Sequence, residues 1–308
     1  MRETKTITPE LVAELFKEEL SDYVKNKIKE YDFKYEEMAE SERDGWLKKI
    51  VEVLLDEVVI KAGQHRLNQW DDGWGANLAK FKATKNLESL NPGYHGKYPV
   101  LRLKQQFIKP LSEGFERNSL YLIEDWLFDK YLRKAETIYE FGCGTGHNLF
   151  HLRQINPAAR LYGLDWSASS QKIMEEVKQA GLDTNIYGRQ FDFFHPDFNF
   201  ALRPNAYVYT VAALEQIGDK FLPWLDYLRS NKPKLCFHIE PLAEFLDPNN
   251  LLDCLSLAYF KKRNYLSGYA AHLKALAATG EIVIMEAKRS YIGSLFIDGY
   301  SVMVWRFI

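Results

Sequence analysis

Apolar residues near the start of the chain recur at helical spacing. Leu11, Leu15 and Leu20 follow Thr8-Pro9, where threonine suits a helix cap and proline the first helical position. In "RDGWLKKIVEVLLDEVVIKAG", Trp46, Ile50, Leu54 and Val58 stand four apart and Gly63 suits a stop, so the spacing predicts a second helix. The periodicity then breaks. Between 64 and 110, "NQWDDGWGANLAKF" and "LNPGYHGKYPVLRLKQQFIKP" are rich in Gly, Pro, Trp and Tyr and predict ordered irregular loops. "SEGFERNSLYLIEDWLFDKYL" predicts a helix within 111–132 that leads into a second region. From 137 onward, short β-prone runs at 137–141, 160–164, 185–188, 206–211 and 234–240 alternate with helix-like segments such as "SSQKIMEEVKQAG". That alternation predicts a parallel sheet with helices on both faces. The last two runs, "EIVIMEAKR" and "GYSVMVWRFI", are separated only by "SYIGSLFID", too short for a helical crossover, so they must pair antiparallel. The expected fold is α/β, with a mainly helical region over 1–110 and a sheet domain over 111–308.

Composition narrows the function classes. A hydrophobic content of 46% suffices for a packed core, and a net charge of -2 provides no global basic field for nucleic acid. Cys143, Cys236 and Cys254 form no CxxC and no metal-ligand spacing, which suggests reduced thiols in a cytoplasmic protein. The charged N-terminus carries no leader-like apolar stretch, and no run reaches the roughly 18 apolar residues of a membrane span. No His/Cys/Asp cluster suggests a metal.

Chemistry concentrates in "TIYEFGCGTGHNLFHLRQINPAARLYGLDWS". A strand-like run meets glycines at 142, 144 and 146, then a helix-like segment, then a second run ending in Asp165. A dinucleotide fingerprint needs a third glycine or alanine where this chain has His147. Glu140, just ahead of the loop, would repel a pyrophosphate and attract an ammonium group. The loop therefore suits a ligand with an amino-acid end.

"YEFGCGTGHN" resembles the first motif of the class I S-adenosylmethionine-dependent methyltransferases, and "LYGLDWS" the second. "RQFDFF" is similar to the third, and "TVAALEQI" to the segment after the fourth strand, with Gln216 where some members carry histidine. The resemblance covers about 137–308 and implies a Rossmann-like, seven-stranded, mostly parallel sheet with an antiparallel final hairpin. It implies S-adenosylmethionine as cofactor. Glu140 would take the methionine ammonium, Gly142, Gly144 and Gly146 would admit the ligand to the backbone, and Asp165 would bind the ribose hydroxyls. Asp192 would bind the adenine amino group, or be a solvated loop aspartate; the Phe193 amide would meet a ring nitrogen; and Trp166 would cover the adenine, or be a core residue.

Methyl transfer is an in-line displacement in which the protein aligns the acceptor and, for an oxygen or nitrogen nucleophile, removes its proton. In parallel sheets the site lies at the carboxyl ends of the strands. Strand alternation sets His238 and Glu240 of "CFHIEP" on one side there, as candidate base and its orienting partner, or as a satisfied core histidine and a cap or ion-pair partner. Glu215 and Gln216 end the preceding strand; Glu215 reads more as a pocket wall than as a base. "YFKKRNYLSGY" offers Tyr259, Arg263, Asn264, Tyr265 and Tyr269 as an acceptor wall, or as an ordinary helix junction. Trp70, Trp74, Tyr94, His95 and Tyr98 suit a lid, or the packing of the two regions. The chain lacks the N/D-P-P-F/Y tetrapeptide of nucleobase amino-methyltransferases, which favours a small-molecule acceptor. Two alternatives stand beside it: a protein or RNA methyltransferase with a helical recognition module, and a non-catalytic S-adenosylmethionine-binding protein.

Overall fold

The computed structural model describes residues 3–308. The first region comprises β1 (Thr4–Thr6), α1 (Pro9–Phe16), α2 (Asp22–Glu30), β2 (Lys34–Glu37), α3 (Glu40–Leu55), α4 (Leu67–Thr84), β3 (Leu101–Leu103) and β4 (Gln106–Pro110). Thr8 caps α1 as expected, its hydroxyl accepting from Leu11 N at 3.3 Å, and Pro9 is the first helical residue. The second helix ends earlier than its periodicity predicts. It stops at Leu55, because Asp56 Oδ1 accepts from Val58 N at 2.9 Å and turns the chain, leaving Val58 83% exposed.

The expectation of irregular loops over 64–110 is also corrected. Residues 67–84 form α4, an 18-residue helix whose Trp70, Trp74, Leu78 and Phe81 recur at steps of four, four and three. Gly73 and Gly75 lower its intrinsic propensity by about 1 kcal/mol each. Docking offsets that cost: Asp71 Oδ1 accepts from Ser167 Oγ (2.6 Å) and Ser169 N (2.9 Å) at the start of the helix that α4 packs on.

The second region follows α5 (Phe115–Leu127) with β5 (Thr137–Phe141), α6 (His147–Ile155), β6 (Arg160–Asp165), α7 (Ala168–Gln179), β7 (Ile186–Gln190) and β8 (Tyr207–Val211). It continues with α8 (Leu222–Asn231), β9 (Leu235–Glu240), α9 (Leu251–Arg263), α10 (Tyr269–Ala278), β10 (Ile282–Arg289), β11 (Ile292–Gly293) and β12 (Ser301–Phe307). The main sheet has the order β10-β12-β9-β8-β5-β6-β7. Strands β5 to β9 run parallel, β12 is antiparallel to β9, and β10 to β12. This is the Rossmann-like sheet with an antiparallel final hairpin that the sequence predicts.

The alternation of β5 divides the core: Ile138 packs with α5 residues such as Leu127 on one face, while Tyr139 and Phe141 join Trp224 and Tyr269 on the other. A smaller antiparallel sheet, β1-β2-β4-β3-β11, accompanies the helices of the first region. Its last strand comes from the loop inside the C-terminal hairpin, so the chain end returns to the first region. Among the described residues no helix is long and apolar enough to cross a membrane.

Candidate functional site

The glycine loop leaves β5 and enters α6. Gly142, Gly144 and Gly146 have φ of 74°, 53° and 78°, conformations costly for a side-chain-bearing residue. At Gly142 space is also decisive, since a Cβ there would stand 2.3 Å from Ala213 Cβ. The loop is tied to β6 where Gly142 N and Cys143 N donate to Leu164 O, at 2.7 and 3.0 Å. Asp165, the last residue of β6, accepts from Gly144 N (2.9 Å) and Ser167 N (2.8 Å). Burial pushes its carboxyl up to about 6.

Asp165 borders a narrow space of about 70 Å³ together with Trp166, Phe193 and Ile217. Trp70, Trp74, Gly142, Ala212 and Gln216 form walls of both this space and a larger cavity of about 290 Å³. The indoles of Trp70 and Trp74 stack at 5.3 Å, and Trp74 lies against the bare Cα of Gly144, where a Cβ would meet its ring at 3.0 Å. Trp74 of α4 thus covers the glycine loop, with Trp70 stacked on it.

Glu140 and Asp192 lie off the walls of these spaces. Glu140 is fully buried behind the loop; its Oε1 accepts from Asn148 Nδ2 (2.7 Å) and its Oε2 from the Tyr209 hydroxyl (3.1 Å). Burial pushes its carboxyl up to about 8. Asn148 does line the larger cavity, and its Oδ1 is buried with no protein partner. Asp192 Oδ1 accepts from Phe194 N (2.8 Å), and its Oδ2 faces His195 Nδ1 (3.1 Å) and Gln64 Nε2 (3.5 Å).

His238 and Glu240 share one side of β9, as alternation requires, yet neither borders the cavity. That side is the layer of α8 and α10. His238 is fully buried: Nδ1 meets Thr210 Oγ1 at 3.0 Å, and Nε2 meets the Tyr269 hydroxyl at 2.8 Å and Trp305 Nε1 at 3.0 Å. Glu240 accepts from the Thr210 hydroxyl (2.8 Å) and from the backbone N–H groups of Ala213, Leu214 and Glu215 (3.0–3.2 Å). It holds the turn after β8. All polar atoms of the pair are engaged within the framework, the arrangement of a satisfied core histidine and a capping carboxylate. Tyr269 is consumed by the same network.

The cavity wall holds other chemistry. Both ring nitrogens of His95 are buried without a partner, and so is Nε2 of His147, whose ring lies 6.2 Å away. Burial pushes His95 down to about 4 and His147 down as well, so both are neutral imidazoles near pH 7. Arg66, Glu215, Tyr259, Arg263 and Tyr265 line the cavity as well. Sequence reasoning placed His95, Arg263 and Tyr265 among lid or wall candidates, whereas Asn148 and Arg66 had no local signal.

No protein-family model matches the chain. Over 63 residues it is 35% identical to "Protein-lysine N-methyltransferase EFM4" of Saccharomyces cerevisiae, a stretch that covers 20% of this chain and 28% of that protein. Among solved structures, magnesium protoporphyrin IX methyltransferase of Synechocystis PCC 6803 is 17% identical with a TM-score of 0.46, over 62% of this chain and 85% of that one. Geranyl diphosphate methyltransferase is 14% identical with a TM-score of 0.45, over 80% and 98%. The O-methyltransferase NcsB1 of neocarzinostatin biosynthesis is 16% identical with a TM-score of 0.43, over 78% and 70%.

Proposed function

We propose that this chain is a methyltransferase that moves the methyl group of S-adenosylmethionine to an oxygen or nitrogen atom of a small molecule. One observation carries the reading. The glycine loop and Asp165 border a space that shares its walls with a cavity rimmed by buried polar atoms lacking protein partners: His95 Nδ1 and Nε2, His147 Nε2, Asn148 Oδ1 and Trp70 Nε1. Buried polar groups are nearly always satisfied, so a cluster of unsatisfied ones around a void fits a polar ligand.

The residues present suit the cofactor, which when bound supplies an electrophilic methyl group. Asp165 keeps lone pairs for two ribose hydroxyls after accepting its backbone bonds. Asn148 Oδ1 accepts from the methionine ammonium, and Glu140 orients that amide by holding its Nδ2. Glu140 is thus a positioning residue one bond behind the ligand. Trp166 and Phe193 supply apolar faces for the adenine. Trp70 and Trp74 exclude water. His95, neutral and with a free ring nitrogen, is the base that takes the acceptor proton.

Calorimetry with S-adenosylmethionine, S-adenosylhomocysteine and NAD tests the cofactor. Saturable binding of the first two is expected, and binding of NAD alone would sink the reading. The short likeness to a protein-lysine N-methyltransferase supports a second reading, a protein acceptor. Incubation of the chain and methyl-labelled cofactor with a fractionated lysate separates the two: label is expected in the small-molecule fraction, and label in protein bands would favour the second.

A further inference from the structure

The wall of the larger cavity carries two guanidinium groups, one of them paired with the Tyr265 hydroxyl. Arg66 and Arg263 both line it. Arg66 is 7% exposed and lies over the Trp70 ring at 4.7 Å. Its Nε donates to Gln69 Oε1 (3.1 Å) and its Nη1 to Gln216 Oε1 (2.5 Å), both neutral amides. Arg263 Nε is buried without an acceptor, and the guanidinium stands 5.4 Å from the Tyr265 ring centre. Neither arginine makes an ion pair among the described residues.

Other buried arginines of the chain are treated differently. Arg289 is held by Asp253 and Asp298, and the Arg102 fork is filled by Leu252 O, Leu295 O and Ser256 Oγ. The two cavity carboxyls do not neutralise the pair. Glu116 already accepts from Gly96 N at 2.6 Å, and Glu215 from Gln216 Nε2 at 2.7 Å. Burial raises both carboxyls, Glu215 to about 8 even though the nearby charges of Arg263 and Arg66 pull it the other way. The two arginines are fixed relative to one another, since Ala62 N donates to Arg263 O at 2.6 Å and Asn264 Nδ2 to Ala62 O at 3.4 Å just ahead of Arg66. Beside them Tyr259 stacks on Phe296 at 5.0 Å and Tyr98 meets that ring at 5.5 Å, an aromatic wall.

Resting on the methyltransferase reading, we infer that the acceptor is a small oxyanion, a carboxylate or phosphate on an unsaturated or aromatic body, held by Arg263 and Arg66. A guanidinium fork matches either anion with paired donors, and the rings match a flat body. The anion anchors the acceptor inside the larger cavity, beside the Trp70 and Gln216 walls that this cavity shares with the narrow space.

The test uses the full chain at constant ionic strength, with and without S-adenosylhomocysteine. Tryptophan fluorescence, with Trp70 under Arg66 as reporter, follows titration with 4-hydroxybenzoate, phenyl phosphate, phenol and benzylamine. Saturable quenching by an anion, absent for phenol and benzylamine, is expected, and the tighter anion tells carboxylate from phosphate. Arg263→Gln should weaken it about ten- to a hundredfold. Glu215→Gln, which removes the negative charge this carboxyl bears when ionised beside the two arginines, should leave it equal or tighter. If Arg263→Gln fails to fold by circular dichroism, Arg66→Gln gives the same reading. No anion-specific quenching, anion binding indifferent to both arginine variants, or a preference for benzylamine overturns the inference. So does a matching loss of S-adenosylhomocysteine affinity in Arg263→Gln, which would assign the guanidinium to the cofactor's carboxylate. A wild-type chain that binds the anion but no S-adenosyl ligand would sink the methyltransferase reading while the oxyanion site stands.

Discussion

His95 and His238 invite comparison because burial treats them alike. It depresses both, His95 to about 4 and His238 to about 3, so both are neutral near pH 7. Their surroundings differ. His238 has both nitrogens engaged by Thr210, Tyr269 and Trp305, whereas His95 has neither engaged and lines the cavity. Asp165 and Glu240 repeat the contrast. Each ends a parallel strand, but Glu240 is spent on three backbone amides and the Thr210 hydroxyl, while Asp165 retains a face on the narrow space. Burial and a shifted pKa therefore do not distinguish a working group from a framework group here. Unused hydrogen-bonding capacity facing a void does.

Replacing His95 should damage turnover most. If it is the base, His95→Gln should lower turnover about a hundred- to ten-thousandfold. Cofactor affinity, read by calorimetry, should stay near wild type. Equal turnover with an identified oxygen or nitrogen acceptor would strip His95 of that role. On the framework side, Glu240→Ala leaves three backbone N–H groups and a hydroxyl without their acceptor. Destabilisation of about 2–4 kcal/mol is expected in urea unfolding. Undiminished stability with lost turnover would return Glu240 to the catalytic set.

Asp165 tests the other half of the contrast. Asp165→Ala removes an acceptor of charge-assisted bonds, at about 1.5–3 kcal/mol, or roughly ten- to a hundredfold in S-adenosylmethionine affinity. The chain should still fold. Unchanged affinity would mean that the narrow space is not the ribose site.

These contrasts mark how far the sequence could be read. The glycine loop and Asp165 were legible because strand, turn and helix follow one another locally, and the final hairpin because its loop excludes a crossover. The state of a histidine is not local: the partners of His238 lie 28, 31 and 67 residues away. Alternation correctly put His238 and Glu240 on one side, but nothing nearby told which layer that side faces. Helix α4 was hidden by the aspartates and glycines between its tryptophans, residues that read as a turn until α7 is there for Asp71 to cap. Strand β11 pairs with a three-residue strand of the first region, a contact that neither short segment announces.

The smallest effect expected is at Glu140, which on the proposed reading meets the cofactor only through Asn148. Its carboxyl, raised to about 8 from the ordinary range near 4.5, is mostly protonated at pH 7. Glu140→Gln then replaces one neutral group by another of the same shape, and the Tyr209 hydroxyl can reverse to accept from the new amide. Affinity for S-adenosylmethionine at pH 7 should fall only roughly two- to threefold. The ammonium of the ligand favours the ionised carboxylate, so binding to the wild type should release a proton near pH 7, visible as a buffer-dependent enthalpy that the variant lacks. As pH rises through 8, the free protein ionises by itself, proton release fades, and the wild type's advantage over Glu140→Gln should widen and level off. Stability should move oppositely. A raised carboxyl gives stability that is full below about 4.5 and is lost as pH rises through about 8, so Glu140→Gln should be the more stable protein at pH 9. An affinity ratio indifferent to pH would detach Glu140 from the ligand and make it a framework residue like Glu240.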